Sequence, residues 1–249
     1  MHKRHVTVRE TVHEKLKGTL RFPSLHHLTV RARCKIRTFT VFFQDNTCLL
    51  YLIRVFSQHT IYRFKIEQSG PIKNKLRVTF LARNAPNRNI VNQGEIVTKL
   101  KNQFDDKIEL NMVTYDLKTS FIDQVRNTHN TDIFMSMHGA GLTHLLFLPD
   151  WAAVFEIYNC DDKDCYNDLA RLRGVKYFTW EKEDKVYPTD EGKHPQLGTP
   201  HKKFTNYSFD LNEFSRMFKK MIDYVNNHPK FIKARKSKCG DENEPKQEL

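Results

Sequence analysis

The sequence predicts an α/β fold, a Rossmann-like parallel sheet with helices on both faces. The first observation is a regular alternation of strand-like and helix-like segments between residues 76 and 180, the pattern that βαβ units produce. The second is the stretch 131–159, in which a buried strand, a glycine-rich turn, a short apolar helix and a second buried strand follow one another. In such a fold, ligands bind at the carboxyl ends of the strands.

The elements are predicted in the following order. A helix spans 53–64, and a turn-rich break follows at 69–74. The strands are 76–82, 108–115, 133–137, 154–158 and 175–180. The helices between and after them are 92–104, 121–129, 142–148, 165–173 and 211–226. In helix 121–129, Phe121, Ile122 and Val125 are expected to face inward.

The pattern divides the chain into three regions. Residues 1–52 are a basic segment of uncertain structure, with 31–43 as its only plausible strand. Residues 53–230 form one Rossmann-like domain, from which the polar stretch 182–208, rich in proline and glycine, makes an excursion. Pro229 is expected to end the last helix, and 231–249 is expected to be a charged, loose tail.

Positive charge is concentrated near the amino terminus. The net charge is +12, and residues 1–52 carry ten lysines or arginines against three acidic residues. Such a segment either binds nucleic acid nonspecifically or is merely solvated. Because no nucleic-acid recognition motif accompanies the charge, no specific nucleic acid is expected as a partner. No run of 18 apolar residues occurs, so no membrane-spanning helix is expected.

The turn from His138 to Gly141 is the best candidate for a ligand site. The small residues Gly139, Ala140 and Gly141 let backbone N–H groups approach an anion at the positive end of a helix dipole. His138 supplies an imidazole donor. The turn therefore predicts a phosphate or diphosphate site. The alternative for a lone histidine beside a core strand is a purely structural hydrogen bond.

Longer runs around this turn carry a family resemblance. They include His-Gly-Ala-Gly-Leu-Thr at 138–143, Asp-Leu-Ala-Arg-Leu-Arg-Gly-Val at 168–175 and Lys-Phe-Thr-Asn-Tyr-Ser-Phe at 203–209. Over about residues 54–230 the chain resembles the EGF-domain-specific O-linked N-acetylglucosamine transferases, a glycosyltransferase family, whereas residues 1–52 are not expected to be family-like. The resemblance implies the C-terminal, nucleotide-sugar-binding half of a two-domain GT-B enzyme. It also implies UDP-N-acetylglucosamine (UDP-GlcNAc) as donor and secreted or membrane proteins with EGF-like repeats as acceptors.

Two arginines follow the first predicted strand. A guanidinium offers a planar fork of donors that matches diphosphate oxygens, and the resemblance places an arginine of this loop at the donor phosphates. Arg83 and Arg88 are therefore candidate donor-binding residues. The alternative is that either is an ordinary charge in a solvated loop.

Three polar residues around the turn are open to two interpretations. Glu156, inside an apolar strand, either accepts hydrogen bonds from ribose hydroxyls or is paired structurally, with Arg171 or Arg173 as possible partners. Thr143 either binds a phosphate or, as we favour, caps the helix that follows. His144 lies in that apolar helix, and packing is the favoured role for it.

The chain has five cysteines. Cys160 and Cys165 close a short loop, and in an oxidising compartment they either form a disulfide, as the resemblance suggests, or stay reduced. Their spacing fits no common zinc pattern, so no metal site is predicted, and metal dependence is left open. Cys34, Cys48 and Cys239 have no evident partner.

The carboxyl terminus predicts a location in the lumen of the endoplasmic reticulum. Lys246-Gln247-Glu248-Leu249 is a variant of the Lys-Asp-Glu-Leu retrieval signal, which implies a retrieval receptor as a partner. Asn206 begins an Asn-Tyr-Ser glycosylation acceptor. No apolar leader follows the basic start, and the acceptor half expected from the resemblance is largely missing. A truncated chain or an incomplete gene model is therefore expected.

The predicted function is transfer of N-acetylglucosamine from UDP-GlcNAc to serine or threonine of EGF-like repeats. The rival is an inactive fragment that at most binds a UDP-sugar. A nucleotide-dependent oxidoreductase is disfavoured because the first strand leads into Ala-Arg-Asn, not Gly-x-Gly-x-x-Gly. Transfer needs a group that accepts the hydroxyl proton, and Asp116, Asp123 and Asp132 cannot be assigned to that role.

Overall fold

The computed structural model of the chain describes residues 46–241. The strand predicted at 31–43, the retrieval signal at 246–249, Cys34 and the Cys48 and Cys239 side chains lie outside the described residues. Among the helices of 46–241, none is both long enough and apolar enough to cross a membrane.

The core of the fold is a five-stranded parallel sheet with the order β2-β1-β3-β4-β5. The strands are β1 (Leu76–Leu81), β2 (Ile108–Val113), β3 (Ile133–Ser136), β4 (Ala153–Glu156) and β5 (Lys176–Thr179). All four neighbouring pairs run parallel. The prediction of a parallel α/β sheet is confirmed, and each strand lies within a predicted strand to within one residue.

Helices cover both faces of this sheet. One face packs against α2 (Gln93–Phe104) and α5 (Leu211–Asn227), and the other packs against a 3-10 helix (Ala140–Phe147) and α4 (Cys165–Arg173). Strand side chains alternate between the two layers: Phe80 and Phe155 belong to the first, Phe134 and Val154 to the second. The central strand β3 (Ile133–Ser136) is buried at every position, whereas the edge strands β2 and β5 carry polar and exposed residues.

Two further helices lie near one edge of the core. Helix α3 (Phe121–His129) begins at Ser120, whose side chain accepts a hydrogen bond from the Asp123 N–H. Helix α1 spans Asn46–Arg63, and Phe64, which follows it, packs edge-on against Phe121. Only Val125 of the predicted inward face of α3 is fully buried. Phe121 and Ile122 are 49% and 39% exposed, so that part of the prediction is wrong.

Residues 231–241 belong to a helix, whereas the prediction was a loose tail over 231–249. Pro229 does end α5, because His228 before it is extended, but it also starts α6 (Pro229–Asp241). Phe231 anchors this helix: it is fully buried against Trp151, and the Arg235 guanidinium lies over its ring at 4.5 Å. The apolar contact of the Phe231 ring therefore holds α6 against the domain, although the charged composition of this segment had suggested a solvated tail.

The predicted excursion contains its own small sheet. Strands β6 (Val186–Pro188) and β7 (Tyr207–Phe209) pair antiparallel. Strand β7 also contacts the connection between β1 and α2 through an isolated bridge from Ile90 to Tyr207. The excursion thus holds the loop that follows β1.

Gly174 ends α4 in a conformation that suits glycine. Its φ is +81°, and a β carbon there would overlap the Arg54 guanidinium of α1. We expect Gly174→Ala to lower the free energy of unfolding by about 1–2 kcal/mol, since left-handed backbone is costly for residues with a β carbon. The matched control is Gly94→Ala in α2, where a β carbon meets no atom within 4 Å. Urea denaturation of both variants measures the difference, and equal stabilities would contradict the prediction.

Candidate functional site

The strand order places a crevice between β1 and β3. The chain leaves β1 towards β2 on one side and leaves β3 towards β4 on the other. At such a switch point the loops at the carboxyl ends of the two strands diverge and leave room for a ligand. Arg83 follows β1 and His138 follows β3, so the structure brings these two predicted residues together at the crevice.

The glycine-rich turn is shaped by close contacts. Gly139 is extended, and a β carbon on it would overlap the Arg83 guanidinium, whereas one on Gly141 would overlap the Leu81 side chain. The Tyr166 hydroxyl donates to the Gly139 carbonyl oxygen at 2.6 Å. A 3-10 helix begins at Ala140, two residues before the predicted helix start. This helix begins at the carboxyl end of β3, where the sequence predicts an anion site.

Two arginines converge on this turn. Arg88 donates to the His138 carbonyl oxygen at 3.0 Å, and an Arg83 Nη atom lies 3.5 Å from the same oxygen. Burial, and secondarily the positive charge of Arg88, lowers the pKa of Arg83. Within the described part of the chain, neither guanidinium has a carboxylate within 4.0 Å. Both guanidinium groups are therefore available to bind an anion.

The loop of Arg88 is held in a strained form by the excursion. Arg88 has φ of +60°, its N–H donates to the Thr205 carbonyl oxygen at 3.1 Å, and its Nε is buried without a partner. The Asn206 side-chain oxygen accepts from both nitrogens of Asn89, at 2.9 and 3.0 Å, and its amide nitrogen donates to Asp190 at 2.5 Å. Backbone strain held by such contacts is common where ligands bind.

His138 and Glu156 form a buried pair beneath the turn. His138 Nδ1 lies 2.6 Å from Glu156 Oε1, and the other carboxylate oxygen accepts from the Tyr177 hydroxyl. Burial, and secondarily the Glu156 carboxylate, raises the pKa of Tyr177. Glu156 is wholly buried, and its hydrogen-bond partners are His138 and Tyr177, not the predicted Arg171 or Arg173. Arg171 pairs with Asp168 and Arg173 with Asp150.

A cleft of about 540 Å³ opens beside His138. Its lining comes from the connection after β4 and from the excursion, and comprises Cys160, Asp161, Asp162, Pro200, His201, Lys202 and Lys203. Asp162 Oδ2 lies 3.7 Å from His138 Nε2 and 2.7 Å from Lys203 Nζ. Hydrogen bonding to Lys203 is the main reason that the pKa of Asp162 is lowered.

The sequence did not single out several of these residues. Asp162 follows β4 at the same edge as His138, so the rule that ligands bind at strand ends offered a signal for it. Lys203 stands in one of the runs that carry the family resemblance. Tyr166 and Tyr177 had no local signal, because their role depends on contacts with distant residues.

The remaining predicted site residues have local partners. The Thr143 hydroxyl donates to the Ala140 carbonyl oxygen at 2.7 Å, so it caps no helix, contrary to the favoured interpretation. His144 packs against Tyr115 with ring centroids 4.7 Å apart, and burial lowers its pKa, which confirms packing as its role. Among the described residues, no group of three or more His, Cys, Asp or Glu side chains is arranged to hold a metal ion.

The two cysteines of the short loop are free thiols in the structure. Cys160 is buried with its Sγ 3.9 Å from the Tyr158 carbonyl oxygen, and burial raises its pKa to about 12. Cys165 is exposed at the start of α4. The two thiols are not bonded to one another in this structure, and a disulfide between them in an oxidising compartment stays a prediction.

The three aspartates without a role have local partners. Asp116 accepts from the Lys118 N–H in a turn, and Asp123 belongs to the start of α3. Asp132 precedes β3, at the end of the strand opposite to His138, and is paired with Arg77. Asp132 is therefore not placed to accept a proton at the crevice.

Comparison with known proteins identifies the family. The sequence model of the family described as glycosyltransferase 61 matches residues 4–155, a range that begins within the basic segment, upstream of residue 54. The EGF domain-specific O-linked N-acetylglucosamine transferase of Bos taurus is 58% identical over 181 residues, which cover 72% of this chain and 34% of the relative. The proteins of that name from Canis lupus familiaris and Drosophila melanogaster are 57% and 47% identical, with the same coverage. The chain spans about a third of the length of these relatives, and it belongs to the glycosyltransferase 61 family.

Proposed function

We propose that this chain provides the donor-binding part of a protein O-linked N-acetylglucosaminyltransferase that uses UDP-GlcNAc. The observation that carries the proposal is the pair Arg83 and Arg88, two guanidinium groups at a helix start that have no carboxylate within 4.0 Å among residues 46–241. A diphosphate supplies the missing negative charge, and the planar forks match its oxygens.

The same geometry supports the chemistry of transfer. As the glycosidic bond breaks, the departing UDP gains negative charge, and donors already aimed at its oxygens stabilise that charge without rearrangement. The 3-10 helix follows β3 and the two arginines follow the neighbouring strand β1, so both lie at the crevice between these strands. Their action is on the leaving group, and no described side chain is assigned as the base for the acceptor hydroxyl.

The acceptor and the compartment follow from the relatives and the tail. The relatives' name specifies EGF domains, and we propose serine or threonine of EGF-like repeats as the acceptor. The retrieval-type tail at 246–249 supports the lumen of the endoplasmic reticulum and a retrieval receptor as a partner. Glycosylation at Asn206 would have to replace its hydrogen bond to Asp190.

Isothermal titration calorimetry with UDP and UMP tests the donor site. Because the arginines are proposed to hold a diphosphate, UDP should bind the chain at least about tenfold more tightly than UMP, the ratio for one charge-assisted hydrogen bond. NAD serves as the control for a dinucleotide site and should not compete with UDP. Equal affinities for UDP and UMP would contradict a diphosphate site at Arg83 and Arg88.

A further inference from the structure

A chain of three side chains runs from the proposed donor site into the core. His138 comes first, 5% exposed at the crevice, with Nδ1 2.6 Å from the wholly buried Glu156. Tyr177 comes last, and its hydroxyl donates to the second oxygen of Glu156. Only His138 is placed to contact a ligand. Glu156 and Tyr177 act through it and are positioning residues.

The number of hydrogen-bonding protons shared by His138, Glu156 and Tyr177 decides whether His138 Nε2 is a donor or an acceptor. A carboxylate only accepts hydrogen bonds, so His138 Nδ1 must carry the hydrogen that faces Glu156. In a neutral ring Nε2 is then an acceptor, which cannot bond to a phosphate oxygen. Nε2 becomes a donor only when the His138–Glu156 pair holds one more proton.

The charges around the ring single out Glu156 as the partner of that proton. The groups that face His138 are Glu156 from β4, Asp162 from the connection after β4, Tyr166 from α4, and Arg83 and Arg88 from the connection after β1. Asp162 lies 3.7 Å from Nε2, beyond hydrogen-bond distance, and is itself paired with Lys203. The arginines contact the His138 carbonyl oxygen rather than the ring.

We propose that in the free protein the His138–Glu156 pair is a neutral imidazole beside a carboxylate, and that UDP binding adds one proton from solvent to this pair, so that Nε2–H donates to a phosphate oxygen. The inference rests on the proposed function, because it requires a phosphate at the crevice. No covalent bond to the ligand forms or breaks. The buried carboxylate balances the added charge, and Tyr177 keeps that carboxylate oriented towards the ring.

Calorimetry in two buffers of different ionisation enthalpy measures the proton directly. At mildly alkaline pH, where free UDP is fully ionised, the wild-type chain should take up about one proton per UDP, the proton that makes His138 Nε2 a donor. Glu156→Gln keeps the shape but not the charge, so uptake should vanish and affinity should fall roughly tenfold to a hundredfold. Uptake by Glu156→Gln equal to that of the wild type would overturn the inference.

Two more variants separate positioning from folding. Tyr177→Phe should weaken UDP binding roughly fivefold, less than the value of a hydrogen bond to a charged group because the tyrosine acts only through Glu156 and His138, and it should retain the proton uptake. Glu213→Gln is the matched control, since Glu213 is also a buried glutamate but pairs with Arg216 on α5, and it should change neither quantity. If the wild type binds UDP without taking up a proton, this inference fails alone. If it binds no UDP, the proposed function fails with it.

Discussion

Replacing Asp132 with alanine should lower the free energy of unfolding by about 3–5 kcal/mol, the range for removing one partner of a buried ion pair. Asp132 is wholly buried before β3 and accepts from Arg77 Nη2 at 2.8 Å, from Arg77 Nε at 3.1 Å and from the Arg77 N–H at 2.8 Å. Trp151 Nε1 donates to it as well, at 2.8 Å. Alanine would leave these N–H donors without their acceptor and the Arg77 guanidinium without its carboxylate partner.

The matched control is Asp168→Ala. Asp168 pairs with Arg171 on the surface of α4, where both side chains are more than half exposed, and such pairs contribute no more than about 1 kcal/mol. Urea denaturation followed by circular dichroism measures both variants. Asp132→Ala unfolding at the same midpoint as Asp168→Ala would show that the buried pair does not stabilise the fold.

The fold was predictable because its information is local. Buried strands of a covered parallel sheet are continuous apolar runs, and the helices between them show a period that a single sequence reveals. The errors arose where a distant contact decides the structure. Phe231 orders α6 by packing on Trp151, and Phe121 stays half-exposed although its spacing in α3 is that of a core residue.

The site was predictable only in part, for a related reason. Parallel strands present their carboxyl ends at the same edge of a sheet, and this rule predicts that Arg83, Arg88 and His138 lie at one crevice. It cannot say which groups meet behind the crevice. The sequence suggested an arginine as the partner of Glu156. The structure instead brings the Tyr177 hydroxyl to Glu156, because β4 and β5 are neighbours and residues 154 and 177 are in register.

Replacing both arginines at the crevice should abolish measurable UDP binding. Arg83→Ala alone should weaken it by about 1.5–3 kcal/mol, the value of a hydrogen bond to a charged group, and Arg83→Lys by less, since lysine keeps the charge but not the fork. The double variant with Arg88→Ala should lose more than either single change, because both guanidinium groups are proposed to hold one diphosphate.

The effect on stability separates a ligand site from a structural pair. Burial, and secondarily the charge of Arg88, lowers the pKa of Arg83, so its charged form is disfavoured in the free protein, where its hydrogen-bond acceptors are the Asn87 and His138 carbonyl oxygens. Arg83→Ala should therefore change the free energy of unfolding by less than about 1 kcal/mol while UDP affinity falls. Arg126→Ala, which removes an exposed arginine paired with Asp123, is the control and should alter neither measurement appreciably. Retained UDP affinity in Arg83→Ala with a large loss of stability would mean that these arginines hold the loop rather than the donor.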